Sequence, residues 1–318
     1  MPNAALEALD AVDLNLSTGS LTAVNFTLGF VMFGVAIGID TEDFKAIVKR
    51  PKSVWVGLTG QWLVLPALTL LMILALDQYI TAGVAMGLIL VASCPGGNIS
   101  NFMVHLAKGN SALSVGLTAF STLGSIFLTP LTFWGWGSLY THFTSNADNP
   151  LLQQLSMDPI EVGKSVFLLL GLPLLLGMAL RKYQPKLVAK LHAPMRWLSI
   201  LAFLTILGVA FSKNIDLFLQ FIGAIFFIVL AHNSMVLLAG YNWGRLWGVP
   251  QRDRRSISIE MGIQNTGLGL VLLLNPSIFP SELTIGGMAA ITAWWGIWHI
   301  PSGLTVATYW RNRKLKVE

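Results

Sequence analysis

The stretch Ser256–Ile257–Ser258–Ile259–Glu260–Met261–Gly262–Ile263–Gln264–Asn265–Thr266–Gly267 decides how this chain is read. It opens an otherwise apolar segment, Leu268 to Leu274, yet carries a carboxylate, two carboxamides and two glycines. Glu260 is the only acidic residue inside any of the long hydrophobic runs. An ionisable side chain inside a bilayer costs about 2.5–3.5 kcal/mol on insertion scales, so one that is kept usually lines a cavity or an ion path. Taken alone, Glu260 also has plainer readings: it reaches the cytoplasmic face, or it pairs with Arg254 or Arg255. A second polar knot lies far upstream at Cys94–Pro95–Gly96–Gly97–Asn98–Ile99–Ser100–Asn101, again inside an apolar run.

The setting of both knots is a membrane protein. Of 318 residues, 54% are hydrophobic and 11% charged, where a soluble domain carries about 25% charged residues. One cysteine, Cys94, excludes an intrachain disulfide, and the five histidines show no metal-ligand spacing. Apolar runs of about 17–25 residues predict nine spans, near 21–39, 54–76, 81–104, 112–134, 162–180, 197–212, 217–239, 256–275 and 284–308. The sixth is short.

The basic residues fix an orientation. Lys45, Lys49, Arg50 and Lys52, then Lys108, then Arg181, Lys182, Lys186, Lys190 and Arg196 fall in alternate loops. Arg245, Arg252, Arg254 and Arg255 continue the series, as do Arg311, Arg313, Lys314 and Lys316. Only Lys164 and Lys213 fall on the other side. By the positive-inside rule the N-terminus is extracytoplasmic and the C-terminus cytoplasmic. The net charge of +5 is therefore a topological signal, with no nucleic-acid partner implied. Residues 1–20 contain Glu7, Asp10 and Asp13 and no Lys or Arg, so they are not a signal peptide. They read as a polar tail with a surface helix around Ala4–Val12. Gly135–Ile160 reads as a polar loop, and the tryptophans near span ends as an aromatic belt.

The third and eighth spans run in opposite directions. Asn101 lies about two helical turns before Lys108, and Glu260 little more than one turn after Arg255, which puts both knots at similar depth in the cytoplasmic half. Pro95, Gly96 and Gly97 break one span; Gly262 and Gly267 interrupt the other. Backbone groups freed in this way must find partners in a dry environment. Matched interruptions in two oppositely oriented halves point to a transporter binding site, whose carbonyl and carboxamide oxygens suit Na+.

At these residues the sequence resembles the bile acid/sodium symporter family. The resemblance rests on Cys94 to Asn101, Lys108–Gly109–Asn110, Leu113–Ser114 and Glu260–Met261–Gly262–Ile263–Gln264–Asn265, and extends over about residues 21–310. It implies an all-α integral membrane fold of two inverted repeats, with a core domain (about 54–134 and 217–308) and a panel domain (about 21–39 and 162–212). Two discontinuous helices, about 81–104 and 256–275, cross in the core beside two Na+ sites, and residues 311–318 form a basic cytoplasmic tail. Carried across by position, one Na+ site takes Ser100, Asn101, Ser114, Thr118 and Glu260. The other takes Gln61, Gln264, Glu260 and the backbone oxygens of Met261 and Ile263. Gly97, Asn98, Asn265 and His299 border the substrate crevice. Set beside ten-span bacterial members, the chain is expected to begin at the equivalent of their second span, as the animal carriers do.

The resemblance therefore implies a plasma-membrane symporter, not an enzyme, that couples Na+ entry to uptake of an organic anion by alternating access. A bile acid or similar sterol is the first expectation, and a small carboxylate such as pantoate or a keto acid the second. Its partners are that small molecule and the lipid bilayer, with no obligate protein partner. Proton coupling, an intramembrane enzyme using Glu260 and His299, and a ligand sensor are the rival readings.

Overall fold

A computed structural model describes residues 3–11, 29–30, 33–34, 36–38, 51–144, 149, 151–152, 164, 167–212, 215–275, 278–279 and 283–315. The expected first span, 21–39, and the basic residues Lys45, Lys49, Arg50 and Lys316 lie largely or wholly outside them. Among the described residues the protein is helical, and its one β-type pairing is an isolated bridge. Among the described residues, three helical stretches are long and apolar enough to cross a membrane: Pro51–Ala75, Ser111–Phe143 and Phe221–Leu246.

The chain begins with α1 (Asn3–Asp10). The stretch Pro51–Ala75 comprises α2 (Pro51–Thr59), a π turn (Gly60–Val64) and α3 (Leu65–Ala75). Pro66 has no N–H to donate and its ring crowds the carbonyl four residues earlier; the π turn just before it absorbs that misfit and carries Gln61. The third expected span is two helices, α4 (Ala82–Ser93) and α5 (Ile99–Leu106). Then come α6 (Ser111–Phe143), α7 (Leu172–Tyr183), α8 (Pro185–Ser212) and α9 (Ile215–Leu246). The eighth expected span is again two helices, α10 (Gln251–Gly262) and α11 (Thr266–Leu273), and α12 (Gly286–Arg311) closes the fold.

Three boundaries differ from expectation. α6 runs on through Gly135–Phe143, where a loop was expected; Tyr140 in that extension is fully buried and its hydroxyl reaches Asp77 at 3.3 Å. α8 starts at Pro185, well before the apolar run near 197, because exposed Lys186 and Lys190 extend a helix without adding hydropathy. Arg252, Arg254 and Arg255 belong to the first turns of α10 and not to a loop.

α4 is apolar on every side and buried throughout its length, so it sits at the centre. Its Gly87 faces the backbone of Met288 on α12, where a Cβ would stand 3.0 Å from the Met288 Cα. Small residues at such crossings let helix backbones approach, which is how helices associate where lipid removes the hydrophobic drive. The main core unites α1, α3, α4, α9, α11 and α12. A second cluster joins Val54, Leu117, Val236 and Met261, and a third joins Met103, Ile259 and Ala307. Large apolar side chains such as Leu63, Leu71, Phe102, Phe127 and Leu238 face outward, as lipid contact allows.

The tail helix is not a surface helix. Leu6 and Leu9 are buried in the main core, and Asp10 is inserted between α4 and α12. Its Oδ2 accepts from the Gly83 N–H at 2.8 Å, and a Cβ on either Gly83 or Gly287 would collide with the carboxylate. Burial pushes the Asp10 carboxyl from 3.8 up to about 6; the Gly83 N–H and Thr81 hydroxyl oppose that shift and Glu7 adds to it. A folded pKa above the unfolded value means that docking is strongest below about pH 4 and weakens as pH rises through 6. The difference is worth about 3 kcal/mol between those limits. A cysteine placed at Leu9 should be more protected from maleimide at pH 5.5 than at pH 7.5 in purified protein, each rate being divided by that of the denatured protein at the same pH to remove the thiol's own ionisation. In the Asp10→Asn background that pH difference should vanish; if it persists, Asp10 is not its source.

Candidate functional site

The two interrupted spans meet through their backbones. α4 stops at Ser93 because Cys94 precedes a proline and is held extended (φ −73, ψ 155). α10 stops at Gly262, and Ile263 is extended (φ −123, ψ 92). The freed groups then satisfy one another. Gly97 N–H donates to Ile263 O at 2.7 Å and Asn265 N–H to Pro95 O at 2.8 Å, an antiparallel bridge centred on Gly96 and Gln264. Close approach requires the glycines: a Cβ on Gly97 would lie 3.1 Å from Gln264 O, and one on Gly96 only 2.7 Å from Glu260 Oε2. Beyond the bridge each chain resumes as a helix. Asn265 caps α11 by accepting from Leu268 N–H at 3.1 Å, while Asn98 starts α5 without a side-chain cap.

Glu260 sits beside this bridge, 4% exposed. Its Oε1 accepts from Ser100 Oγ at 2.5 Å and from Ser114 Oγ, and its Oε2 accepts from Thr118 Oγ1 at 2.9 Å. Ser114 Oγ also lies 2.7 Å from Asn101 Oδ1, and Thr118 Oγ1 3.0 Å from Ser114 O. Each hydroxyl has one hydrogen, so the cluster offers more oxygen lone pairs than it has protons to fill them. Such a set suits a hard cation. Neither plainer reading of Glu260 holds. It does not reach solvent, Arg255 donates instead to Ala107 O, Trp310 O and Arg313 O, and Arg254 Nε donates to Val249 O.

The residues expected at the second ion site also converge, in a closed arrangement. Gln61 Nε2 donates to Cys94 O and to Gln264 Oε1, both at 2.8 Å, and Gln264 Nε2 donates to Met261 O at 2.6 Å. Ile263 O is taken by Gly97 N–H. A cation there would require the Gln264 carboxamide to turn so that Oε1 replaces Nε2. The crevice candidates are more dispersed. Gly97 is buried in the bridge, Asn98 is exposed and Asn265 half-buried. His299 is buried on α12 against the Trp295 ring, centroids 5.5 Å apart, and its Nδ1 has no hydrogen-bond partner.

The family model described as the Sodium Bile acid symporter family matches residues 25–221. The chain belongs to the sodium bile acid symporter family. That match ends short of Glu260, but similarity to relatives runs further. The chain is 31% identical over 303 residues to the uncharacterized sodium-dependent transporter YocS of Bacillus subtilis, covering 95% of this chain and 87% of that protein. It is 30% identical over 294 residues to a probable chloroplastic sodium/metabolite cotransporter, BASS2, of Oryza sativa subsp. japonica, covering 91% and 64% of the two chains. To sodium/bile acid cotransporter 4 of Homo sapiens it is 29% identical over 283 residues, covering 88% of this chain and 61% of that one. The sodium bile acid symporter family and these relatives carry the names of transporters, not enzymes.

Several residues beside the site were not singled out from sequence. Asn233 on α9 donates from Nδ2 to Gly262 O at 2.8 Å. Next to it, His232 accepts at Nδ1 from Trp295 Nε1 (2.9 Å), which leaves Nε2 to donate to Thr69 Oγ1 (2.8 Å), whose own hydrogen goes to Leu65 O. The signal was available as His232–Asn233–Ser234, a polar triplet inside an apolar span. Asp253, fully buried, accepts from Ser53 Oγ at 2.6 Å and Asn110 Nδ2 at 2.8 Å. Its position among arginines hid it within a basic segment.

Proposed function

We propose that this chain is a sodium-coupled secondary active symporter that takes up an organic anion by alternating access. The observation that carries the reading is the buried Glu260 carboxylate, held by Ser100, Ser114 and Thr118 next to Asn101, where two broken helices cross. A buried carboxylate surrounded by hydroxyls and a carboxamide supplies one negative charge and several oxygens without fixing a permanent counter-cation. Na+ can enter and leave such a site as a co-substrate. The Gln61–Gln264 pair with Met261 O and Ile263 O forms the second ion site once its carboxamides turn.

In the same proposal the architecture is nine spans in inverted repeats, with α2–α6 and α9–α12 in the core and the segments near 21–39 and 162–212 in the panel. The N-terminus is extracytoplasmic, the basic C-terminal tail cytoplasmic, and the protein a multi-pass component of the plasma membrane. The passenger binds in the crevice bordered by Gly97, Asn98, Asn265 and His299. It is an organic carboxylate, either a bile acid, as the human relative's name suggests, or a smaller metabolite, as the plant relatives' names suggest.

Reconstituted protein should accumulate one or more members of a panel of labelled bile acids and small carboxylates under an inward Na+ gradient. Replacing Na+ by choline or K+ should lower that uptake at least about tenfold, as expected when ion binding precedes substrate binding. Undiminished uptake in choline would remove the sodium coupling. Binding of the same compounds without flux would favour a sensor.

A further inference from the structure

A carboxamide in the interior of an apolar span is costly unless its donors and acceptors are placed. Asn233, fully buried on α9, meets that condition by joining three elements. Nδ2 donates to Gly262 O at 2.8 Å and Oδ1 accepts from Ser302 Oγ at 2.5 Å. Gly262 is the last residue of α10, so its carbonyl is one of the helix-end groups with no partner inside the helix. Ser302 follows Pro301 within α12, and its Oγ lies 3.4 Å from His299 O. Because a carbonyl only accepts, Gly262 O orients the Asn233 carboxamide with its NH2 toward it, and the Ser302 hydroxyl then donates to Oδ1.

The three successive carbonyls at this break have different recipients. Met261 O is taken by Gln264 Nε2 and Ile263 O by Gly97 N–H, both groups of the crossing, whereas the carbonyl between them goes to α9. Gly262 also has no room on the α9 side, since a Cβ there would collide with Leu237. Peptide planes are rigid, so fixing Gly262 O fixes the plane of the 262–263 peptide and limits how its two neighbours can turn.

We propose that Asn233 is a positioning residue for the second ion site: by holding Gly262 O toward α9, it presents the carbonyls of Met261 and Ile263 to the crossing. It rests on the sodium reading above. Asn233 does not touch the ion; it acts through the backbone that does. Partners one layer outside a metal's ligands typically change affinity by about 10–100-fold when removed, and this contact is to the ligand-bearing backbone itself.

The test needs no passenger. Purified protein is melted across a NaCl titration, with choline chloride holding ionic strength constant and KCl as control, since an ion that binds the folded state raises Tm. Wild-type protein should show a Na+-specific rise, and Glu260→Ala should lack it. Asn233→Leu, which keeps the branching of the side chain with bulkier ends and loses both hydrogen bonds, should require about tenfold more Na+ for half the rise. Ser302→Ala, which removes the donor that anchors Oδ1 and so loosens the carboxamide, should require about two- to threefold more, and it carries the test if Asn233→Leu does not fold. A purely structural Asn233 would lower the sodium-free Tm and leave the half-effect concentration unchanged in both variants. That result, with Glu260→Ala flat, overturns this proposal alone. A wild-type Na+ response in Glu260→Ala overturns the sodium site, and this proposal with it.

Discussion

Glu260→Ala is expected to abolish sodium-driven uptake, by at least about a hundredfold at any Na+ concentration up to 150 mM, while the protein remains folded. The carboxylate accepts from Ser100, Ser114 and Thr118, and in the proposed mechanism it is shared by both ion sites. It is also the only acidic group within the long apolar runs. Removing it leaves two cations with neutral oxygens in a dry surrounding, where charge is costly. The fold should survive because two of the three hydroxyls retain other acceptors: Thr118 reaches Ser114 O and Ser114 reaches Asn101 Oδ1. Losing their shared acceptor costs roughly 1–3 kcal/mol. Glu260→Gln keeps the shape and loses the charge, so it separates the two contributions: uptake should be lost in both variants, and thermal stability recovered in the Gln variant. The measurement is initial uptake in proteoliposomes, with a monodisperse elution profile as the check on folding. Uptake within threefold of wild type would remove Glu260 from the ion sites.

The crossing was legible in the sequence for a physical reason. Pro95, Gly96, Gly97 and Gly262 are poor residues for a helix interior, and a membrane-embedded backbone cannot be left unpaired, so two breaks at one depth had to satisfy each other. Gln61 and Gln264 meet as the family resemblance implied. What periodicity and hydropathy could not show were groups whose role depends on a partner distant in sequence. Asn233 acquires meaning only from Gly262 O, and Asp253 only from Ser53 and Asn110. Leu6 and Leu9 lie in the tail that reads from sequence as polar with a surface helix. In the fold both join the main core, and Asp10 beside them fits the space left between α4 and α12 by Gly83 and Gly287. Helix ends such as Phe143 and Pro185 were missed because polar turns continue a helix without continuing its hydropathy.

Arg255 is the sharpest case, and it carries the second large prediction. In the sequence it is one of four arginines, with Arg245, Arg252 and Arg254, in one of the basic stretches that orient the chain; in the fold it is 1% exposed and serves as a brace. Nη1 donates to Ala107 O at 2.7 Å and Trp310 O at 3.1 Å, and Nη2 donates to Arg313 O at 3.2 Å. These carbonyls lie at the C-terminal ends of α5 and α12, where helix-end oxygens lack partners and the dipole favours a cation. The guanidinium also stands 5.9 Å from the Trp310 ring centroid. Hydrogen bonds from a charged donor contribute about 1.5–3 kcal/mol each and are not additive, so Arg255→Ala should cost about 3 kcal/mol or more. In a chain of this size about 3 kcal/mol corresponds to a fall in Tm of roughly 4–5 °C. Arg255→Lys should recover less than half of the loss, because a single ammonium cannot span three carbonyls as the planar fork does. Melting the purified variants in detergent measures both, and a Tm within about 2 °C of wild type for Arg255→Ala would show that the three contacts contribute little. Arg255 lies more than one turn from Glu260 along α10 and touches none of the ion-site oxygens. The Na+ concentration giving half the thermal shift should therefore stay within about twofold of wild type, so loss of stability and loss of sodium binding are separable along one helix.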